Sequence, residues 1–255
     1  MFRPTLYATH YSPWSHRAVW ALDHHGIDYR YREHVPMLGE LALRLRAKQP
    51  RRQPASVPLL ITADAPLGDS MAIMHWADEC GEGTPLRAGS EEAARWRDRV
   101  EPWLHAVRVR VTSRLARDRD AQWEAAAGGV PRALAGVCRP VAAMGARHIA
   151  RKYGFDVDQE QQGRALMQQG LDAIRSALDD RPTIGERFGA VDILAATLLQ
   201  GVEPADAFVP LGPATRRLWA DEALADANRD LLQWRDELCA EHRPLRREPR
   251  DGAAA

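Results

Sequence analysis

The sequence predicts an α/β domain at the amino end of the chain and an all-helical domain after it. Short apolar runs broken by Pro and Gly recur within about the first eighty residues, as expected for strands that alternate with helices. After Ser90 the apolar residues recur at spacings of three and four, as in amphipathic helices. With 255 residues, 45% of them hydrophobic, the chain is long enough for one large or two modest domains.

The first domain is predicted to span 1–83. A strand over 5–8 precedes a helix that begins at Ser12 or Pro13, because Ser is a favoured N-cap and Pro fits the first helical position. Gly26 ends this helix. The next predicted elements are a strand over 28–35, a helix over 37–48, a strand over 57–62, a short strand at 67–68 and a helix from 71 to 78 or beyond. This order is that of a thioredoxin-like domain.

The second domain is predicted to span 90–242 and to be all-α, with 243–255 as a frayed tail. Ser90 is the candidate N-cap of a long helix that Pro102 bends. The polar stretch 118–129 is predicted to be a loop. Further helices are predicted over 131–152 (one or two), 159–178, 188–195, 214–220 and 224–239.

Composition narrows the class of protein. The formal net charge is zero, which gives no field that would attract nucleic acid or an anionic membrane. There is no apolar signal core and no run of membrane-span length. The three cysteines lie far apart, which argues against a disulfide framework or a zinc cluster and suits a reducing cytoplasm.

The candidate site is the turn Ser12-Pro13-Trp14-Ser15. Its spacing is that of a Cys-Pro-x-Cys redox turn in which oxygen replaces both sulfurs. A hydroxyl forms no disulfide, so a redox role is excluded. The N-terminus of a helix favours negative charge and would stabilise a bound thiol as its thiolate.

These residues resemble the serine-type branches of the glutathione transferase superfamily, in which an Arg also follows the catalytic Ser by five residues, as Arg17 does here. Val57-Pro58 matches the cis-proline position of thioredoxin-like proteins, and Asp69-Ser70 matches the acidic residue and serine before the last helix of that domain. The resemblance implies that the Val57 backbone pairs with the cysteinyl residue of glutathione. It implies also that Ser70 takes the γ-glutamyl carboxylate and that Asp69 lies near the γ-glutamyl amine.

The resemblance implies a cytoplasmic, homodimeric glutathione transferase that needs no metal. The neutral net charge gives no reason to expect nucleic acid or a membrane as a partner. Ser12 would donate a hydrogen bond to the glutathione thiolate, which would attack a small electrophile held between the two domains. Two alternatives stay open. One is a glutathione-dependent isomerase or dehalogenase on the same scaffold, and the other is a non-catalytic binding protein.

Two positions of the candidate site have more than one candidate residue. Tyr11 stands six residues before Arg17, as the catalytic phenol does in tyrosine-type members, and it competes with Ser12. Ser56 occupies the position where many members carry Lys or Gln near the glycine end of glutathione, so Gln53, Arg52 or Lys48 are candidates to replace that contact.

The start of the helix near residue 189 departs from the family pattern. Gly189 stands where the family has a capping Ser or Thr, and Asp192 is predicted to be structural. No partner for His10 is evident in the sequence.

Overall fold

The computed structural model describes residues 2–34, 39–48, 56–127, 157–205, 208 and 211–243. Backbone proximity divides the chain into two compact units. The first comprises Met1–Trp96, Thr183–Thr197 and Glu237–Ala255, and the second comprises Arg97–Pro182 and Leu198–Asp236. The sequence-based boundaries 1–83, 90–242 and 243–255 stay a prediction.

The amino-terminal region is a four-stranded mixed sheet with helices, which confirms the thioredoxin-like prediction. The sheet order is β2-β1-β3-β4, with β1 parallel to β2 and β3 antiparallel to both β1 and β4. Its elements are β1 (Thr5–Ala8), α1 (Pro13–His24), β2 (Arg30–Glu33), α2 (Glu40–Ala47), β3 (Leu59–Ile61), β4 (Pro66–Leu67) and α3 (Ser70–Cys80).

The core of this region holds α1 and α3 in fixed positions. On α1, Trp20 and Leu22 are fully buried, as are Leu6 and Leu60 on the sheet and Ile73 on α3. Complete burial of one such side chain contributes about 1.5–3 kcal/mol relative to exposure. The N-termini of α1 and α3 are therefore held in position by the packed core.

Helices dominate the rest of the described chain, as predicted. They are α4 (Glu91–Arg117), α5 (Arg119–Ala127), α6 (Val157–Leu178), α7 (Ala190–Leu198), α8 (Pro213–Trp219), α9 (Glu222–Ala227) and α10 (Arg229–His242), with a 3₁₀ turn over Leu199–Gly201. The predictions for 131–152 and for the tail after Arg243 lie outside the described residues. In the described ranges, no helix has both the length and the apolar character needed to cross a membrane.

The helices differ from the prediction at two places. The loop predicted over 118–129 is wrong, because α5 occupies most of it. The Asp118 carboxylate caps this helix by accepting from the N–H groups of Asp120 and Ala121, at 2.9 and 3.0 Å. The single helix predicted over 224–239 is also wrong. It breaks at Asn228, whose side-chain amide donates to the Leu224 carbonyl at 2.8 Å.

The start of α7 explains the glycine at 189. The N–H of Ala190 donates to the Leu86 carbonyl at 2.7 Å, and a Cβ at Gly189 would lie 2.9 Å from that same oxygen. A larger residue does not fit without displacing the backbone. The Asp192 carboxylate accepts from the N–H groups of Gly189 and Ile184, at 2.9 and 2.7 Å. Asp192 is therefore structural, as predicted.

Candidate functional site

Four chain segments meet at one edge of the sheet. Ala8 pairs with Glu33 in the parallel β1–β2 ladder, so both strands end at this edge. Tyr7 pairs with Leu59 in the antiparallel β1–β3 ladder, so β3 begins here, and β4 ends here because it runs antiparallel to β3. Ligands of open α/β sheets bind beyond the carboxyl ends of the parallel strands. The segments at this edge carry most of the predicted site residues.

The turn between β1 and α1 presents the Ser12 hydroxyl at the start of a helix. Ser12 is the N-cap of α1, and its side-chain oxygen accepts from the N–H of Ser15 at 3.4 Å. Within the described ranges, no protein group accepts a hydrogen bond from the Ser12 hydroxyl. The Ser15 hydroxyl is buried and accepts from the N–H of Thr9 at 3.2 Å, so it is committed to the turn. Of the two serines, Ser12 is the one available to a ligand.

Tyr11 lies beside Ser12 but is a weak acid in this environment. Burial raises the pKa of Tyr11 to about 12, and the negative charge of Glu33 adds to this effect. The phenol therefore stays neutral, and its high pKa makes it a weaker hydrogen-bond donor to an anion than an ordinary tyrosine. Its ring meets the His10 ring edge-on, with the centroids 5.0 Å apart.

The start of β3 offers an unpaired stretch of backbone. The Val57–Pro58 peptide bond is cis, as predicted. Val57 is half-buried and packs against the cluster of Leu43, Ala47 and Leu59. In the part of the chain that the structure describes, the Val57 backbone has no hydrogen-bond partner. Its N–H and C=O are thus available to an extended peptide, as in the pairing of a peptide with a sheet edge.

The start of α3 provides a second helix N-terminus at the same edge. Asp69 is exposed and caps the helix by accepting from the N–H of Met71 at 3.2 Å. Ser70 is the first helical residue and is 2% exposed. The orphan N–H groups and the dipole of such a helix start favour an anion. Ser56 is exposed before the cis-proline, whereas Gln53 lies outside the described residues.

Arg17 is fully buried and has a structural contact. Its Nε donates to the hydroxyl of Thr197 at 3.2 Å, which ties α1 to α7. The cost of burying a guanidinium is offset only when it is hydrogen-bonded, so this tie is part of the core.

Sequence reasoning missed the pair formed by Glu33 and His10. The Glu33 Oε1 accepts from the N–H of His10 at 3.1 Å and lies 2.8 Å from His10 Nδ1, and Oε2 accepts from the Tyr31 hydroxyl at 2.8 Å. Burial acts to raise the pKa of Glu33. The hydrogen bonds and charge of His10, together with the Tyr31 hydroxyl, outweigh burial and hold the pKa of this carboxyl below its ordinary value.

A separate groove of about 710 Å³ lies between α4 and α6. It is lined by Asp98, Glu101 and His105 of α4 and by Leu166 of α6, among others. Its two carboxylates would repel the carboxylates of glutathione, and it has no helix N-terminus among its lining residues. The sheet edge is therefore the better site for an anionic peptide. The described residues include no group of three or more His, Cys, Asp or Glu that could hold a metal ion.

Comparisons with known proteins agree with this geometry. The family described as Glutathione S-transferase, N-terminal domain, matches residues 11–80, which include the turn at Ser12, the cis-proline and the start of α3. No curated protein matches the sequence.

Three solved structures share the fold over almost the whole chain. A glutathione S-transferase from Methylobacterium radiotolerans in complex with glutathione sulfonate is 18% identical with a TM-score of 0.60, over 98% of this chain and 99% of its own. Glutaredoxin 2 from Salmonella typhimurium in complex with glutathione is 16% identical with a TM-score of 0.53, over 92% and 96%. A maleylacetoacetate isomerase from Methylobacterium extorquens with bound malonate and glutathione is 20% identical with a TM-score of 0.50, over 96% and 98%.

At these identities the structural matches carry the fold alone, and the family match covers the amino-terminal domain. The fold, the family match and the geometry of the sheet edge agree. Residues 11–80 match the amino-terminal domain of the glutathione S-transferases, and the chain as a whole shares the fold of solved members of that superfamily.

Proposed function

We propose that the protein is a glutathione transferase in which the Ser12 hydroxyl stabilises the thiolate of bound glutathione. The observation that carries this proposal is the Ser12 hydroxyl at the N-terminus of α1, which has no acceptor among the described residues. The Val57 backbone would pair with the cysteinyl residue of glutathione. Ser70 and the start of α3 would bind the γ-glutamyl carboxylate, with Asp69 near the amine.

The energy needed for this role is modest. A free thiol has a pKa near 8.5, and lowering it by about two units requires about 2.7 kcal/mol of preferential stabilisation of the anion. One hydrogen bond to a charged group contributes about 1.5–3 kcal/mol, and a helix N-terminus adds about 0.3–1 kcal/mol. Ser12 and the α1 N-terminus together are sufficient.

The experiment is retention on immobilised glutathione, followed by turnover assays with a panel of electrophiles. We expect Ser12→Ala to lose about 10–100-fold in kcat while glutathione binding is largely kept, and we expect Ser12→Thr to retain part of the rate. Tyr11→Phe is the matched variant, since it removes the rival hydroxyl from the next residue. Full activity in Ser12→Ala, or a loss confined to Tyr11→Phe, would contradict the role of Ser12.

Two further reactions on the same scaffold, an isomerisation and a dehalogenation, are the alternatives to a transferase. The maleylacetoacetate isomerase with bound glutathione shares the fold, so the panel includes a cis–trans isomerisation substrate and a haloalkane. Glutathione binding without turnover on the whole panel would indicate the non-catalytic binding protein instead.

The oligomeric state and the compartment are proposals of the same kind. We expect a cytoplasmic homodimer, as is common in the family. Light scattering of the purified protein measures the mass directly, and a monomer at micromolar concentration would contradict the expectation.

A further inference from the structure

The Glu33 and His10 side chains are arranged like an orienting carboxylate and a base. Glu33 Oε1 lies 2.8 Å from His10 Nδ1, which places the ring proton on Nδ1 and leaves a lone pair on Nε2. In the ranges that the structure describes, Nε2 of His10 has no hydrogen-bond partner. The His10 side chain is 34% exposed, so solvent or a ligand can reach it.

The pair belongs to the same sheet edge as the proposed glutathione site. His10 lies in the turn between β1 and α1, two residues before Ser12. Glu33 is the last residue of β2, and it pairs with Ala8, the last residue of β1. The His10 backbone is fixed at both polar groups, because its N–H donates to Glu33 and its carbonyl lies 2.6 Å from His16 Nε2. The ring is therefore held in position before any ligand binds.

We propose that Glu33 and His10 are the proton-accepting pair of the glutathione site, with His10 as the base and Glu33 as the residue that orients it. This inference rests on the proposed transferase function. As glutathione ionises, its S–H bond breaks, the electron pair stays on sulfur and the proton forms an N–H bond at His10 Nε2. The Ser12 hydroxyl then donates to the thiolate, while Glu33 stabilises the imidazolium.

The proton leaves His10 in the second half of the reaction. The thiolate forms its bond to the carbon of the electrophile, and the leaving group departs with the bonding electrons. The imidazolium gives its proton to that leaving group or to water, which restores neutral His10. No oxidant, reductant or metal is needed for this balance.

Other titratable groups surround the pair and affect its proton affinity. From β2 and the residue after it, the Tyr31 hydroxyl donates to Glu33, and His34 interacts electrostatically with Glu33. In the turn, the charge of Glu33 contributes to the raised pKa of Tyr11. On α1, the His16 ring contacts the His10 carbonyl. Of these groups, none stands between the carboxylate and Nδ1, so Glu33 is the charge that acts on His10 most directly.

The test compares kcat/KM across pH for the wild type, His10→Gln and Glu33→Gln, with His75→Gln as control. His75 also faces a carboxylate, Glu79 at 3.4 Å, but it is exposed on α3. We expect His10→Gln to lower kcat/KM about 100-fold and to flatten the ascending limb of the pH profile. Glu33→Gln keeps an oxygen for the His10 N–H groups but removes the negative charge beside the ring, so we expect a smaller loss of kcat/KM than in His10→Gln, together with a pH profile that differs from that of the wild type.

Chemical rescue separates a base from a residue that only shapes the turn. We expect added imidazole to restore turnover to His10→Ala in a saturable manner, and to restore none to Ser12→Ala. An unchanged pH profile in His10→Gln, or the absence of rescue, would contradict the role of His10 as the base and would leave the role of Ser12 intact. A wild-type protein without turnover would overturn the transferase function and the pair together.

Discussion

Two carboxylates of the first unit, Glu33 and Asp192, are both hydrogen-bonded, yet their proton affinities shift in opposite directions. Glu33 accepts from the His10 ring and backbone and from the Tyr31 hydroxyl, and its pKa lies below the ordinary value. Asp192 accepts from two backbone N–H groups, and its pKa is raised to about 6.

The hydrogen-bonding partners of the two carboxylates explain why their pKa values shift in opposite directions. Burial acts to raise the pKa in both cases, and it is more complete at Asp192, which is 1% exposed. His10 can carry a positive charge next to Glu33, whereas the partners of Asp192 are neutral dipoles. A carboxylate beside an imidazole stays charged and can act on a proton. A carboxylate beside backbone N–H groups fixes a helix start and does no chemistry.

The largest effect is expected from removing the structural carboxylate. Asp192→Ala leaves the N–H groups of Ile184 and Gly189 without their acceptor, at a cost of about 1–3 kcal/mol each. We expect urea unfolding to show a loss of about 3 kcal/mol in the free energy of unfolding. Asp226→Ala is the control, because that carboxylate is exposed and pairs only with Arg229 among the described residues. A loss under about 1 kcal/mol for Asp192→Ala would contradict the structural role.

The raised pKa of Asp192 makes the free energy of unfolding depend on pH. A pKa raised from 3.8 to about 6 means that the folded state binds the proton more tightly than the unfolded state. The stabilisation is therefore complete below the unfolded pKa and is lost as pH rises through about 6. We expect the stability difference between wild type and Asp192→Asn to shrink by about 2 kcal/mol between pH 4 and pH 6, because one pKa unit corresponds to about 1.36 kcal/mol and the group is only half ionised at pH 6.

That comparison uses Asn because it is neutral at every pH. It loses one of the two backbone hydrogen bonds, but this offset is constant with pH. A difference that grows with rising pH would show that the pKa of Asp192 is lowered, and the contrast with Glu33 would then fail.

The smallest expected effect has the opposite sign and concerns Glu33. Because its pKa is lowered in the folded state, its contribution to stability is present above the unfolded value near 4.5 and is lost as pH falls through the folded value. We expect the stability advantage of wild type over Glu33→Gln to decrease on acidification below about pH 4.5. Thermal unfolding of both proteins across this range is the measurement, and an advantage that increases in acid would refute the assignment.

Local signals made much of the fold predictable from the sequence. Ser12 and Pro13 mark the start of α1, and Gly26, with a φ of +63°, follows its end as a residue free to adopt that conformation. The cis-proline at 58 was predictable only through the family resemblance. The α5 helix was not predicted because a polar residue such as Asp118 is as typical of a loop as of a helix N-cap. In the structure Asp118 is the cap of α5.

The Glu33–His10 pair was not predictable because its two residues lie 23 positions apart and meet only through the register of β1 and β2. The sequence contains one signal of the contact between Tyr31 and Glu33, because residues two apart on β2 lie on the same face of the strand. Nothing in the sequence indicates that His10 is their neighbour. The glycine at 189 likewise has its cause in a distant carbonyl, that of Leu86. Long-range contacts of this kind follow from packing and not from local pattern.

The central claim is that the turn after β1 keeps a bound thiol ionised, and a titration of that thiol tests it most directly. The ultraviolet absorbance of the thiolate is followed against pH for glutathione bound to wild type, Ser12→Ala and Tyr11→Phe. We expect the bound thiol to titrate about two pH units below free glutathione in wild type and Tyr11→Phe, and close to the free value in Ser12→Ala. A bound thiol that titrates like free glutathione in the wild type, or one unaffected by Ser12→Ala, would contradict the claim.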